Sequence, residues 1–128
     1  MTSRFYGIVI QDGKVLSVET GGYTVFPGGE PKEFESGCDC LIREFSEELS
    51  GTKIKIENHY RDFLSIDPKN DEPFLCKNYF VTLSSPLGKP SLEVYNVRWI
   101  DSTFLDVLKF SDSSKKTLVS LIQDGFVK

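Results

Sequence analysis

Alternation of apolar and polar residues predicts β-strands along much of this chain. Two β-rich runs, residues 5–10 and 14–19, flank the segment Gln-Asp-Gly-Lys. An Asp-Gly pair between two such runs predicts a hairpin, because glycine accepts the positive φ angle that a tight turn requires. Further strands are expected at residues 23–26, 53–56, 59–65, 77–84 and 93–100, and residues 67–73 are expected to form an exposed turn.

Two segments, residues 38–49 and 113–123, have the apolar spacing of amphipathic helices. The predicted core stripe of the first is Cys38, Leu41, Ile42, Phe45 and Leu49, and that of the second is Leu118, Leu121 and Ile122. A short helical piece is expected at 104–108. Strands before, between and after two helices predict an α/β (α+β) fold packed in layers, and a chain of 128 residues is expected to form one domain over residues 1–128.

Composition and charge narrow the range of functions. The net charge of −4, without a basic stripe, argues against binding to nucleic acid, and no apolar run reaches the roughly 18 residues of a transmembrane helix. The three cysteines are odd in number, which favours a reduced, cytoplasmic setting over a disulfide framework. An acidic protein can still bind phosphates when divalent cations supply positive charge, so a nucleotide-type substrate is compatible with this net charge. The chain is expected to be a monomer or a homodimer.

Residues 43–48, Arg-Glu-Phe-Ser-Glu-Glu, place three acids on the first predicted helix. At about 100° per residue, Glu44, Glu47 and Glu48 fall within about a third of the helix circumference. Grouped like charges destabilise a helix slightly, and Arg43 can recover part of this by pairing with Glu47. Two interpretations stay open: a solvated acidic face, which is the commoner meaning of such a cluster, or a set of oxygen ligands for Mg²⁺ or Mn²⁺.

Pro27-Gly28-Gly29 ends a predicted strand shortly before this helix. Glycine lets the backbone approach a ligand closely, so a carbonyl group there can serve as a further oxygen ligand. An ordinary Pro-Gly turn is the alternative.

The segment from Gly29 to Glu48 reads G-x5-E-x7-R-E-U-x-E-E, where U is an apolar residue. This pattern resembles the Nudix box of the Nudix hydrolases, and so many fixed residue types at fixed spacing make it a specific signal. The family pattern ends with one further residue, a glycine and an apolar residue. Here Ser50 follows Leu49 and Gly51 comes one place late, and we expect Gly51 to supply a left-handed helix cap.

The resemblance implies a Nudix-like α/β/α sandwich with a mixed central sheet, and hydrolysis of a nucleoside diphosphate linked to another moiety. It also implies a binding site for Mg²⁺ (or Mn²⁺) made of Glu44, Glu47, Glu48 and the Gly29 carbonyl. Divalent ions neutralise a diphosphate and lower the pKa of bound water, which agrees with these roles.

Catalytic and supporting roles follow from the same resemblance. Glu44, Glu47 and Arg43 are implied in catalysis: Glu44 or a nearby carboxylate would deprotonate the attacking water, and Arg43 would orient the carboxylates. Glu35 and Gly28 would support the site, Glu35 by bracing the loop against the helix.

Other residues have weaker signals. Glu93, six residues before Trp99, is either a further metal ligand or catalytic base, or a solvated glutamate that begins a strand. His59 is expected to be structural or at the surface. Tyr6 is one of several aromatic residues that could stack on a base, and Arg4 is either a phosphate contact or a surface residue.

Two cysteines, Cys38 and Cys40, invite a zinc interpretation. A C-x-C pair on a helix points its thiols in different directions and no second Cys/His pair exists, so structural zinc is not expected.

The substrate is less well defined than the reaction. The small size most resembles the MutT-like (d)NTP pyrophosphohydrolases, which release a nucleoside monophosphate and pyrophosphate. ADP-ribose, nucleotide-sugar and dinucleoside polyphosphate hydrolysis are alternatives, and so is a nucleotide-binding module without turnover. No substrate-binding residue is identified by a motif outside the Nudix-like segment.

Overall fold

The computed structural model describes residues 1–128. Its strands are β1 Thr2–Ile8, β2 Ile10–Gln11, β3 Lys14–Thr20, β4 Tyr23–Val25, β5 Gly28–Gly29, β6 Ile54–Ile66, β7 Pro73–Leu83 and β8 Asn96–Ile100. Its helices are α1 Gly37–Glu48 and α2 Asp112–Gln123, with a 3₁₀ turn at Ser102–Phe104. Neither α-helix has the length and apolar character that crossing a membrane requires.

The strands form two sheets. The first has the order β5-β1-β7-β6, in which β1 and β7 are parallel and the other neighbours are antiparallel. In the second, β3 pairs antiparallel with β2, β4 and β8. The chain passes from the first sheet to the second at Val9, between β1 and β2. Two helices with mixed strand directions confirm the predicted α+β class.

Alternation along β3 divides the apolar core between the two helices. Leu16 belongs to the buried cluster of Leu41 and Phe45 from α1. Its neighbour Val15 belongs to the buried cluster of Leu118 from α2. Because successive side chains of a strand point to opposite faces, each helix covers one face of the strand layer. The layers therefore follow the expected α/β/α order, with the central layer divided into two sheets.

The predicted hairpin at the start of the chain is only partly correct. Asp12 and Gly13 form its turn, with φ angles of 53° and 74°, and β2 pairs with β3 across it. Most of the run at 5–10 lies instead in β1 of the other sheet. The reason is that β1 is already hydrogen-bonded on both edges, to β5 and to β7.

Two other strand predictions need correction. Residues 53–56 and 59–65 are not separate strands but parts of β6, whose pairing with β7 shifts register around Asn58 and again before Asp62. The last predicted strand starts at Asn96, so Glu93 lies in the preceding loop and not at a strand start.

The predicted apolar stripe of α1 is wrong at two positions. The side chains of α1 and its C-cap that are buried are Cys40, Leu41, Phe45 and Leu49. Ile42 is 47% exposed and Cys38 is also exposed. The short strand β5 lies beside α1, so the covered side of the helix turns toward it and includes Glu44 and Glu48, which are half-buried.

Two glycines let α1 lie close against β1. A Cβ atom at Gly7 would overlap the ring of Phe45, and one at Gly37 would overlap the ring of Phe5. Phe45 is fully buried, so its ring cannot swing into solvent to make room. The position of α1, and of every side chain it carries, therefore depends on these two missing Cβ atoms.

Replacing Gly7 by alanine should destabilise the protein, because the new methyl group and the Phe45 ring would compete for the same buried space. Overpacking of this kind costs about 1–3 kcal/mol, measurable as a lower free energy of unfolding in urea. Adding Phe45→Leu should recover part of that loss, since leucine vacates the ring's position. A Gly7→Ala protein of wild-type stability, or a double variant whose losses simply add, would contradict the close contact.

Candidate functional site

Helix α1 is fixed at both ends by local hydrogen bonds. The Ser36 hydroxyl caps its start by accepting from the Asp39 N–H at 3.1 Å. At its end, Gly51 has a φ of 77° and its N–H donates to the Ser46 carbonyl at 2.9 Å. The late glycine thus provides the expected left-handed residue. The departure from the family pattern at Ser50 lies beyond Glu48, the last glutamate of the helix.

Gly28 holds one of these glutamates in place. Its N–H donates to Glu48 Oε2 at 3.0 Å. Gly28 pairs with Tyr6 of β1 at a φ of 150°, and a Cβ atom there would overlap the backbone of Phe5. Only glycine therefore fits this position, which agrees with the supporting role predicted for it.

Gly29 lies directly against the carboxyl group of Glu44. A Cβ atom at Gly29 would be 3.0 Å from Glu44 Cδ, so the absence of a side chain leaves room for the carboxylate. The Gly29 carbonyl accepts a weak hydrogen bond from Cys40 Sγ at 3.5 Å. Burial raises the pKa of the Cys40 thiol to about 11, which keeps the donating proton in place.

Arg43 joins the loop before α1 to the helix. Its Nε and Nη2 atoms donate to the two carboxylate oxygens of Glu35, each at 2.8 Å. Its Nη1 atom donates to Glu44 at 2.7 Å and to Glu47 at 3.2 Å. The hydrogen bonds from Arg43, together with one from the Lys32 N–H, lower the pKa of Glu35 to about 2. Glu35, implied to brace the loop against the helix, thus pairs with Arg43, and Arg43, implied to orient the carboxylates, pairs with Glu44 and Glu47. These roles stay predictions.

Four glutamates line one open cavity of about 880 Å³. Glu44, Glu47 and Glu48 come from α1, and Glu93 comes from the loop before β8. The structure thus brings together all the acidic residues that the sequence analysis assigned to the metal and to catalysis. Their catalytic roles stay predictions.

Burial and mutual repulsion act on these carboxyl groups. Burial, followed by repulsion from Glu44, raises the pKa of Glu48 to about 8, and the hydrogen bond from Gly28 opposes the rise. Burial also raises the pKa of Glu44, against the ion pair with Arg43. A cluster of this kind favours a positive charge among its oxygens.

The donor set fits a hard divalent cation by its chemistry. Mg²⁺ and Mn²⁺ prefer carboxylate and carbonyl oxygens, and the cavity supplies four carboxylates beside the Gly29 backbone. As they stand, no three acidic, histidine or cysteine side chains converge on one point. Arg43 is paired with Glu44 and Glu47, and these side chains would have to turn part of their oxygens toward a cation.

Sequence reasoning missed several residues that line the same cavity, namely Thr20, Gly21, Lys69, Ser91, Leu92 and Val94. Lys69 is the only basic side chain among those that line it. It lies in the turn at 67–73, far along the chain from α1, and no motif or periodicity marks it.

A second cavity of about 170 Å³ adjoins the first, and the two share Thr20, Gly21 and Lys69. Arg4 and Asp67 line it and form an ion pair at 2.5 Å between Nη2 and Oδ2. The Arg4 guanidinium also lies over the ring of Phe74, 4.1 Å from its centre. Arg4 is therefore neither a free surface residue nor placed beside the glutamates.

Of the other residues weighed from the sequence, His59, Cys38 and Cys40 line neither cavity. His59 is exposed and its Nε2 is 2.7 Å from Asp62 Oδ1, which agrees with a surface role. Cys38 is exposed and Cys40 is buried, so their thiols point apart as expected. Tyr6 lines the second cavity, where burial raises the pKa of its hydroxyl and keeps it protonated.

Comparisons with known proteins identify the fold but not a sequence relative. No protein-family model and no curated protein matches the chain. A Nudix hydrolase structure from Nitrosomonas europaea has a TM-score of 0.81 at 16% identity, over 97% of this chain and 90% of that one. A UDP-X diphosphatase has a TM-score of 0.77 at 16% identity, over 97% of this chain but 63% of its own length.

An ADP-ribose pyrophosphatase from Streptococcus suis gives a third match, with a TM-score of 0.70 at 19% identity over 96% of this chain and 90% of that one. At such low identity these matches establish the fold, which is the fold of Nudix hydrolases. The architecture implied by the resemblance of residues 29–48 is thus confirmed.

The Arg4–Asp67 ion pair should make stability depend on pH in the acid range. The hydrogen bond from Arg4 lowers the pKa of Asp67, so the pair stabilises the fold above the ordinary Asp pKa and is lost as the pH falls through the lowered value. Asp67→Asn should therefore lower the free energy of unfolding by roughly 0.5–1 kcal/mol near pH 6, the range for partly solvated ion pairs. The difference from wild type should shrink below about pH 3.5.

Urea unfolding at a series of pH values measures this difference. Asp106→Asn is the matched control, because Asp106 is exposed and forms no ion pair. A wild-type advantage that stays constant from pH 6 to pH 3 would show that Asp67 does not stabilise the fold through its charge.

Proposed function

We propose that this chain is a Nudix hydrolase that uses Mg²⁺ (or Mn²⁺) to hydrolyse a nucleoside diphosphate linked to another moiety. One observation carries the proposal: on this fold, four glutamates separated by up to 49 positions in the chain line a single open cavity. A solvated acidic face, the alternative for α1, requires neither the buried Glu48 carboxyl group nor the arrival of Glu93 from a distant loop.

The residues of the chain divide the work of the reaction. Glu44, Glu47 and Glu48, with the Gly29 carbonyl, would hold the divalent ion, which supplies charge neutralisation and a water of lowered pKa when bound. Glu44 or a neighbouring carboxylate would accept the proton of the attacking water. Positioning and electrostatics carry most of such catalysis, because phosphoryl transfer leaves little covalent work for the protein.

Arg43 serves as a positioning residue. Its guanidinium group holds Glu44 and Glu47 in one orientation. Its two hydrogen bonds to Glu35 keep that group in place when a substrate phosphate binds nearby. Glu93 enters the cavity from a loop, so it can approach a bound substrate from a different element than the helix glutamates.

For the substrate we propose a (d)NTP, which water would split into a nucleoside monophosphate and pyrophosphate. A MutT Nudix hydrolase from Burkholderia pseudomallei shares the fold, which supports this choice. The fold does not select it, since proteins known as a UDP-X diphosphatase and an ADP-ribose pyrophosphatase share it. A hydrolysis panel of (d)NTPs, oxidised (d)NTPs, ADP-ribose, dinucleoside polyphosphates and nucleotide sugars, with products identified, decides among them.

Replacing Glu47 or Glu48 by glutamine should reduce turnover by about 10²-fold or more while the fold survives, because each change removes a carboxylate ligand of the proposed metal ion but keeps the side-chain shape. Glu57→Gln is the matched control: Glu57 is exposed, accepts from Thr82 at 3.0 Å and lies outside the cavity. Steady-state hydrolysis in Mg²⁺ measures the effect. Near-wild-type rates in both the Glu47 and Glu48 variants would refute the assignment.

Mg²⁺ and Mn²⁺ should raise the melting temperature of the wild-type protein, because a ligand that binds only the folded state stabilises it. At a concentration about 100 times the dissociation constant the gain is about 2.7 kcal/mol, or several degrees. The Glu47→Gln protein should lose most of this gain. Differential scanning fluorimetry at matched ionic strength with NaCl isolates the effect of the divalent ion. A melting temperature that Mg²⁺ leaves unchanged would refute the proposed metal site.

A further inference from the structure

The two cavities adjoin each other at a single lysine. Lys69 lines both of them, together with Thr20 and Gly21 at the end of β3. A Cβ atom at Gly21 would be 4.0 Å from Lys69 Nζ, so the ammonium group lies close to this glycine at the junction. A molecule that occupies both cavities must therefore lie against Lys69.

The loop that carries Lys69 is held by its own hydrogen bonds. Asp67 Oδ1 accepts from the Lys69 N–H at 2.7 Å, and the Asp67 N–H donates to the Glu72 carbonyl at 2.9 Å. The Asp71 N–H donates back to the Asp67 carbonyl at 2.9 Å. Asp67 therefore anchors both the loop and Arg4, and it couples the position of Lys69 to the second cavity.

The Lys69 ammonium group has no charged or hydrogen-bonding partner in the chain. It forms no ion pair and no side-chain hydrogen bond in the chain, whereas four carboxylates line the larger cavity beside it. An unpaired cation at the junction fits a phosphate group that connects the contents of the two cavities.

The second cavity has the features of a site for a planar heterocycle. The rings of Tyr6, Tyr23 and Phe74 line it, and the Arg4–Asp67 pair supplies hydrogen-bond donors next to acceptors. Arginine has five N–H donors and uses one of them on Asp67. Each Asp67 oxygen can accept a second hydrogen bond. The Asp67 carboxylate disfavours a second phosphate in this cavity, because like charges repel.

We propose that the second cavity binds the nucleobase of the substrate, that Arg4 and Asp67 read the hydrogen-bonding edge of that base, and that Lys69 binds the phosphate at the junction. This inference rests on the function proposed above, because the larger cavity must hold the hydrolysed phosphates. It makes these three residues the determinants of which nucleotide the protein accepts.

Binding of non-hydrolysable product-like fragments separates the three roles. The four nucleoside 5′-monophosphates, their nucleosides and ribose 5-phosphate are titrated into the Mg²⁺-supplemented protein, with dissociation constants taken from two-dimensional NMR shifts. The wild-type protein should bind one monophosphate at least about tenfold more tightly than ribose 5-phosphate, since a hydrogen bond to a charged group is worth about one decade or more. Equal affinities for ribose 5-phosphate and all four monophosphates would overturn the base site.

Two variants distinguish the base from the phosphate. Asp67→Asn should weaken the preferred nucleoside and its monophosphate by about tenfold and leave ribose 5-phosphate unchanged. Lys69→Met should weaken the monophosphate and ribose 5-phosphate severalfold and leave the nucleoside unchanged. Lys55→Met, at an exposed position outside both cavities, is the control and should change nothing.

A purely structural role for Asp67 would weaken every ligand alike, and that result would overturn its assignment. A Lys69→Met protein with wild-type affinity for ribose 5-phosphate would overturn the junction site. Should Asp67→Asn lower the melting temperature below the titration temperature, Tyr6→Phe replaces it. That change removes only a hydroxyl group beside Arg4, so it should reduce base preference without affecting ribose 5-phosphate.

Failure of this inference is distinct from failure of the proposed hydrolysis. Base-selective binding without Mg²⁺-dependent turnover of any nucleotide would sustain the base site and refute the hydrolase. Mg²⁺-dependent turnover of several nucleotides, with no preference for any base in rate or binding, would sustain the hydrolase and refute the base site.

Discussion

The candidate site depends on the hydrogen bonds that the Arg43 guanidinium group donates. Arg43 is the one cation of α1, and it donates to three acids: two bonds to Glu35 in the preceding loop, and one each to Glu44 and Glu47 of the helix. The planar, five-donor shape of arginine makes this possible, and a lysine at the same place could not bind Glu35 through two parallel bonds. The loop before α1 and the helix itself are therefore held as one unit.

Close backbone packing is the second constraint, and it acts together with the first. Gly7 and Gly37 bring α1 against β1, Gly28 brings β5 against β1, and Gly29 leaves room beside the Glu44 carboxyl group of α1. As a result Glu48 becomes half-buried next to a backbone N–H, and Glu44 fits against a position without a side chain. Burying carboxyl groups in this way is unfavourable for the fold alone. The cost is understandable if the glutamates must meet a cation at a fixed distance from the backbone.

The sequence predicted the parts of this site that lie close together in the chain. The i,i+4 spacing of Arg43 and Glu47 predicted their ion pair, and Gly51 predicted the left-handed end of the helix. The prediction failed where contacts with residues distant in the chain determine which side chains are buried. Ile42 is exposed and Cys40 is buried because β5 covers one side of α1, and helical periodicity does not contain that information. The division of the strand layer into two sheets was not predicted for the same reason, since β1 pairs with a parallel strand more than 60 residues away in the chain.

The second cavity shows this limit most clearly. Arg4 and Asp67 are 63 residues apart and meet because the N-terminal strand lies beside the strand that follows the Asp67 loop. No local pattern marks either residue, yet the same strand pairing places both of them in a cavity that adjoins the one lined by the glutamates. A nucleotide has two chemically different ends, a base and a phosphate chain, joined through its sugar, and the fold offers an aromatic cavity and an acidic cavity that meet at Lys69. In the proposed function, the segment at residues 29–48 serves the phosphate end, and specificity for the base depends on residues that only the tertiary structure brings together.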